Sequence, residues 1–182
     1  MKGVIFVELL QMVQAHAGEA LVDEVLDGLT LASGGAYNAV GYYSCDEFFS
    51  LLEAFGAALD LPVAELQRGF GHWVFGHFLE NYGEFFATKK TAFDMLESIE
   101  GEVHVEVRKL YPDAELPKFE TCRVSETEMT MMYTSQRPLE SFCHGLIEAC
   151  LAHYGTAGRI TPQSLSGPNA AQMVFLIGLD AA

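Results

Sequence analysis

Apolar residues recur at three- and four-residue spacings through most of the first 110 positions and then change period, dividing the chain into a helical first part and a mixed second part. Ile5, Leu9, Met12 and Val13 predict a helix over residues 4 to 15, and Leu21, Val22, Val25 and Leu26 predict another over 19 to 29. Gly34, Gly35 and Gly41 mark an irregular stretch. It ends at Ser44, which with Glu47 three residues on reads as a capping box, and Phe48, Leu51, Leu52 and Phe55 follow on one face. Pro62 suits the first turn of the next helix, which carries Leu66, Phe70, Trp73, Val74 and Phe78 and is expected to break over residues 81 to 86. Thr91 with Asp94 reads as a further cap, and Leu96, Ile99, Val103, Val107 and Leu110 form a stripe that stops at Pro112.

Beyond Pro117 the alternation is that of strands. Residues 119 to 124 and 128 to 135 are predicted to pair through the turn Val124-Ser125-Glu126-Thr127, with Met129, Met131 and Tyr133 on one face. A helix over about 139 to 154 carries Phe142, Leu146, Ile147, Cys150 and Leu151. Residues 160 to 165 and 173 to 179 close the chain as strands around Ser166-Gly167-Pro168-Asn169. The order predicts an α+β fold in which an N-terminal helical region is followed by a small antiparallel sheet with a helix packed across it. There is no internal repeat and no low-complexity segment.

The chain has 182 residues, half of them apolar, enough for one domain with a core that needs no disulfide to fold. Its 10 Lys and Arg stand against 25 Asp and Glu, a net charge of -15, which repels a phosphate backbone and an anionic leaflet alike. Nucleic acid and membrane insertion are therefore not expected. Apolar runs fall far short of the roughly 20 residues of a bilayer span, and Met1-Lys2-Gly3 leads into an amphipathic pattern rather than a signal peptide, so the expected location is cytoplasmic. Cys45, Cys122, Cys143 and Cys150 form no C-x-x-C pair and read as reduced thiols.

Three constellations could carry chemistry. His104, flanked by Val103 and Val105 beside the apolar stripe, points into or along the core, where each ring nitrogen needs a partner. It is either a hydrogen-bonded core histidine or the ligand of a metal or heme in a pocket lined by Phe and Leu. Tyr133, Ser135 and Arg137 share a strand face if the strand persists, a donor set that suits a carboxylate or phosphate; the alternative is an arginine paired with a surface acid. Cys143, Cys150 and His153 could share one side of the last helix, but zinc sites normally draw ligands from two segments, so ordinary core residues are expected. No P-loop, nucleophile elbow, dinucleotide glycine fingerprint or His-Glu-x-x-His motif occurs, so an enzyme is not expected.

Taken together, Met1-Lys2-Gly3 with Ile5, His104 within Val103-His104-Val105-Glu106-Val107-Arg108-Lys109-Leu110-Tyr111-Pro112, Pro117, and Tyr133-x-Ser135-x-Arg137 resemble the heme nitric oxide/oxygen binding (H-NOX) family over essentially the whole chain. The resemblance implies a single domain over residues 1–182, helical over about 1–60 and mixed over about 61–182, enclosing one heme b. It implies that His104 is the proximal iron ligand, that Tyr133, Ser135 and Arg137 bind the heme propionates, and that Ile5 and Pro117 press on the porphyrin. Phe78 and Leu146 are expected to line the same pocket.

On the distal side, oxygen-binding members of the family place a tyrosine where Phe142 stands here, and the supporting polar positions correspond to Leu9 and Val74. An apolar distal pocket leaves bound oxygen without a donor, whereas nitric oxide binds iron without that help. The expected function is a nitric oxide sensor, also open to carbon monoxide, that weakens the His104–iron bond and signals to a separate histidine kinase or cyclic-di-GMP enzyme. An oxygen sensor using His72, His77 or a water as donor and a heme-free acidic interaction module are the rivals. Some bacterial members hold a structural zinc; Glu140 replaces its expected first cysteine and no Cys follows Cys150, so no zinc is expected. Pro138 departs from the basic residue expected after the arginine.

Overall fold

A computed structural model describes residues 1–165 and 171–180. Helices α1 (Gly3–Ala17), α2 (Glu19–Gly28), α3 (Cys45–Ala58) and α4 (Val63–Ala87) follow the apolar spacing of the first part. Ser44 caps α3 by accepting the Asp46 N–H, but the expected capping box does not form. Glu47 turns inward instead, accepting hydrogen bonds from Ser33 N–H (3.1 Å), Ser33 Oγ (2.6 Å) and Tyr37 Oη (2.8 Å), and so binds the irregular stretch to α3. The expected break over residues 81 to 86 is a kink inside α4 at Tyr82 (φ -136°, ψ 32°), beyond which the helix resumes.

The Thr91–Asp94 capping box does form and starts α5 (Ala92–Ser98). A π-helical segment (Ile99–Val103) and α6 (His104–Leu110) follow, then strands β1 (Lys118–Arg123) and β2 (Glu128–Ser135), helix α7 (Glu140–His153), β3 (Gly158–Ser164) and β4 (Ala171–Leu179). The strands form one antiparallel sheet in the order β1-β2-β4-β3, with Met129, Met131 and Tyr133 buried on the face covered by α7. The predicted closing turn at residues 166 to 169 lies outside the described residues. The α+β architecture expected from the sequence is the one observed.

Two apolar clusters hold the molecule together. One gathers Phe6, Leu9, Phe48, Leu51, Leu52, Phe55, Phe70 and Val74 from the first four helices, and the other gathers Phe75, Phe93, Leu96, Met129, Met131, Ile147, Phe175 and Ile177 from the sheet side. α4 and α7 run through both, and half-buried Phe78 and Leu146 touch both. The two helices cross at Gly71 and Gly145, where an added Cβ would lie 2.3 Å from the Phe142 carbonyl oxygen and 2.0 Å from that of Arg68. Only glycine permits backbones to approach that closely.

Candidate heme site

The π-helical segment decides where His104 points. The His104 N–H reaches back five residues to the Ile99 carbonyl, a widened turn of the kind often found at functional sites. The extra residue changes the helical phase, so the stripe expected from Leu96 through Leu110 is not continuous. Leu96 is buried and Ile99, Val103 and Val107 are half-buried, but Leu110 is 63% exposed and His104 is the buried residue of α6.

The His104 Nδ1 lies 3.0 Å from Glu100 Oε2. Burial would raise the Glu100 carboxyl, but hydrogen bonds from Arg108 and His104 outweigh it and hold the group below the usual carboxylate range. An ionised carboxylate only accepts, so Nδ1 carries the proton. Burial in turn holds the His104 imidazole below its ordinary range against the pull of Glu100. The ring is thus neutral, and its Nε2 presents a lone pair with no hydrogen-bond partner among the described residues. A histidine whose second nitrogen is held by a carboxylate is the usual form of a metal-ligating imidazole.

Contacts lead from His104 to the Tyr-Ser-Arg corner. The His104 ring lies 5.6 Å from that of Phe119, which lies 5.7 Å from that of Tyr133. Tyr133 lies buried near the end of β2, and burial pushes its hydroxyl up to about 12, keeping it a protonated donor. Ser135 ends the strand and Arg137 lies in the bend beyond it, so the three do not share a strand face as expected. The bend still brings them together: Ser135 Oγ accepts the Arg137 N–H at 3.0 Å and Tyr133 Oη donates to the Arg137 carbonyl at 3.4 Å. The Arg137 guanidinium reaches the Glu115 carbonyl (3.0 Å) and carboxylate, and Glu115 is 81% exposed. The surface-acid pairing weighed for this arginine is therefore present, on an acid that solvent can reclaim.

Ile5, Pro117, Phe78, Phe142 and Leu146 are each half-buried, while Leu9 and Val74 are fully buried. Phe142 tilts against Phe70 at 5.2 Å, joining the helical cluster that contains Leu9 and Val74. The two distal donors considered from the sequence are engaged elsewhere. His77 Nδ1 lies 2.8 Å from Glu8 Oε1, whose other oxygen accepts the Trp73 indole N–H at 2.8 Å, and half-exposed His72 lies 3.1 Å from Glu148. The donor set fits a heme: one neutral imidazole for the iron, apolar side chains for the ring, and a Tyr-Ser-Arg corner for the carboxylates.

The sequence reading did not single out Glu100, Phe119 or Glu115. An acid four residues before a buried histidine was the available signal for Glu100. Cys143 and Cys150 are buried with their thiols pushed up by burial, Cys150 to about 12, and His153 packs on Phe75, Phe86 and Tyr154. Among the described residues no group of three His, Cys, Asp or Glu is placed to hold a metal ion, and no helix is long and apolar enough to cross a membrane.

An α+β fold of this order, with a buried carboxylate-held imidazole beside a Tyr-Ser-Arg corner, fits the class of heme-binding proteins. The chain belongs to the heme-NO-binding family, whose model matches residues 2–161. The ferrous, unliganded H-NOX protein of K. algicida is 32% identical, with a TM-score of 0.93 over 100% of this chain and 98% of that one. The H-NOX of Shewanella woodyi in its Fe(II)CO state is also 32% identical, with a TM-score of 0.83 over 98% and 94% of the two chains. The S. oneidensis H-NOX in its Fe(II)NO state, 23% identical, shares the fold with a TM-score of 0.85 over the full length of both. No curated protein sequence matches the chain.

Proposed function

We propose that this protein is a nitric oxide sensor in which His104 holds the iron of one heme b, seated between the helical part (about residues 1–60) and the mixed part (about 61–182). The observation that carries the reading is the placement of His104, buried with Nδ1 3.0 Å from Glu100 Oε2 and with Nε2 meeting no hydrogen-bond partner among the described residues. Heme, when bound, would supply an iron for His104 to hold and for a diatomic gas to bind. Tyr133, Ser135 and Arg137 bind the propionates, Arg137 exchanging the exposed Glu115 for them. Ile5 and Pro117 press on the ring, and Leu9, Val74, Phe78, Phe142 and Leu146 line the pocket.

The distal wall sets gas preference. Leu9, Val74 and Phe142 offer no hydrogen to a partially negative oxygen ligand, and His72 and His77 are occupied by Glu148 and Glu8. Oxygen is thereby disfavoured, whereas nitric oxide and, more weakly, carbon monoxide need no donor. A gas ligand that loosened the hold of His104 on such an iron would free α6 to shift, turning one ligation event into a change of shape. A separate histidine kinase or cyclic-di-GMP enzyme then reads that shape, and the chain itself performs no catalysis.

The test is the absorption spectrum of the heme-loaded, reduced protein, exposed in parallel to nitric oxide and to air. Loss of the histidine-ligated spectrum with nitric oxide and no lasting oxygen complex in air are expected. A stable oxygen complex overturns the gas assignment, and an unchanged spectrum in His104→Ala overturns the ligand.

A further inference from the structure

Helix α6 is seated shallowly. His104 is its buried residue, while Val105 is 37% and Leu110 63% exposed. Its near end is held by Glu100, which binds His104, Arg108 Nη2 (2.8 Å) and the Phe119 N–H (3.3 Å). Its far end is Tyr111, whose N–H closes the last turn on the Val107 carbonyl at 2.8 Å.

The Tyr111 ring lies 4.1 Å from the Lys2 ammonium, and the same ammonium lies 4.0 Å from the Tyr42 ring and donates to the Val40 carbonyl at 2.9 Å. Among the described residues Lys2 makes no ion pair, although the chain carries 25 acids. Aromatic faces hold this cation. Lys2 is itself fixed in the helical part: its carbonyl accepts the Ile5 N–H (3.2 Å), it bridges to Tyr42, and the next residue, Gly3, donates to Gly41 O at 2.8 Å. One ammonium therefore joins the start of α1, the loop before α3 and the end of the His104 helix.

We infer that Lys2 is a positioning residue for His104: the Tyr42–Lys2–Tyr111 stack is a strut that ties the helix bearing His104 to the segment bearing Ile5, and so sets how readily the histidine leaves iron. The inference rests on the heme-sensor reading above. Tyr111 stands seven residues beyond His104, about 10 Å along the helix, so it acts on a long lever. A cation–π contact is lost beyond roughly 6 Å from the ring centroid. Starting from 4.1 Å, a shift of the helix end by about 2 Å breaks it, which makes the strut closer to a catch than to a spring.

The experiment uses the heme-loaded ferrous protein and the variants Lys2→Met, Lys2→Arg, Tyr111→Leu and Tyr111→Phe. Two readouts are taken: the iron–histidine stretching band in resonance Raman, and amide hydrogen exchange over residues 104–116. Lys2→Met and Tyr111→Leu are expected to lower the band frequency and speed exchange about fivefold, the effect of losing about 1 kcal/mol of cation–π attraction. Lys2→Arg and Tyr111→Phe keep a cation and a ring and should restore both readouts, which a loss of bulk alone would not predict. Two ends of the strut are tested, so failure of one variant to fold leaves the other decisive. A normal band with unchanged exchange in the heme-loaded Lys2→Met or Tyr111→Leu protein overturns the strut alone. Absence of any iron–histidine band in the unmodified protein overturns the sensor reading and the strut with it.

Discussion

Replacing Glu100 tests how the site is built more directly than replacing the histidine itself. Its carboxylate receives three hydrogen bonds, from His104 Nδ1 at 3.0 Å, Arg108 Nη2 at 2.8 Å and the Phe119 N–H at 3.3 Å. In Glu100→Ala the imidazole loses the acceptor that fixes its tautomer, and both Nδ1–H and the Phe119 N–H are left without a partner. Hydrogen bonds to a charged group contribute about 1.5–3 kcal/mol each, but the Glu100 side chain is 32% exposed, so the solvent-facing Arg108 bond is discounted to below about 1 kcal/mol. What remains are the His104 and Phe119 bonds, and loss of an outer partner of a ligating histidine typically weakens metal binding about 10- to 100-fold. Glu100→Gln keeps an oxygen that accepts from Nδ1–H and should fall near the tenfold end. The assay is the rate of heme transfer to an excess of a heme acceptor protein, read beside the iron–histidine band. Glu148→Ala is the control, because it breaks a comparable network with Arg68, His72 and His144 on α4 and α7. If Glu100→Ala releases heme no faster than Glu148→Ala, the carboxylate does not support the ligand and the protonation argument fails.

Phe142→Tyr places a hydroxyl on the distal wall and should give the ferrous protein a lasting oxygen complex in air, followed by absorption spectroscopy. Arg137→Ala should weaken heme retention, while Glu115→Ala, removing an exposed competitor for the guanidinium, should leave it equal or better and change stability by less than about 0.5 kcal/mol in urea melts. Glu47→Gln should cost about 1–3 kcal/mol at neutral pH. Burial raises the Glu47 carboxyl, but bonds from Ser33 and Tyr37 outweigh it and hold it below its ordinary 4.5, so this stability is full above pH 4.5 and lost as pH falls below it; Glu47→Gln should flatten that acid limb. Gly145→Ala should destabilise by about 1–3 kcal/mol, since its Cβ would lie 2.0 Å from the Arg68 carbonyl oxygen, and no shift in the melt would refute the close crossing.

Spacing of apolar residues was enough to place α1 to α3, α7 and the strands, because nothing interrupts the period of each. The chain between Ser98 and His104 was not legible in the same way. A π turn has no sequence period of its own, so Val103, Val107 and Leu110 continued the count as though the helix were regular, and the burial of His104 in place of that stripe depends on the inserted residue. The break expected over residues 81 to 86 is present as the kink at Tyr82, but packing of Phe75 and Phe86 in one cluster accompanies a helix that resumes beyond it. Glu47 stood at the right spacing for a capping box but found stronger partners in Ser33 and Tyr37, two residues distant in sequence that no local pattern connects to it. At the candidate site, the histidine and the Tyr-Ser-Arg set were visible as types and spacings. Of their supports, Glu100 had the signal of an i,i+4 spacing, whereas Phe119 and Glu115 come from other segments and emerge only once the chain is folded.

The two sides of the molecule are held in different ways, and this bears on how a pull at His104 would spread. Along α4 and α7 the backbones meet at Gly71 and Gly145 with no room for a methyl group, and both apolar clusters share those helices. Close-packed contact of that kind resists sliding, because any displacement opens voids or forces overlap. Across the opposite side, α6 offers mostly exposed side chains and is joined to the helical part through the rings around Lys2. Polar and cation–π contacts in partly exposed positions contribute only about 0.5–1 kcal/mol each. A displacement of His104 therefore meets least resistance along α6 and greatest resistance at the glycine crossing. The fold puts the buried, carboxylate-held His104 on the element that can move at small cost, and keeps Val74 and Phe142 on the two helices that meet at the glycine crossing.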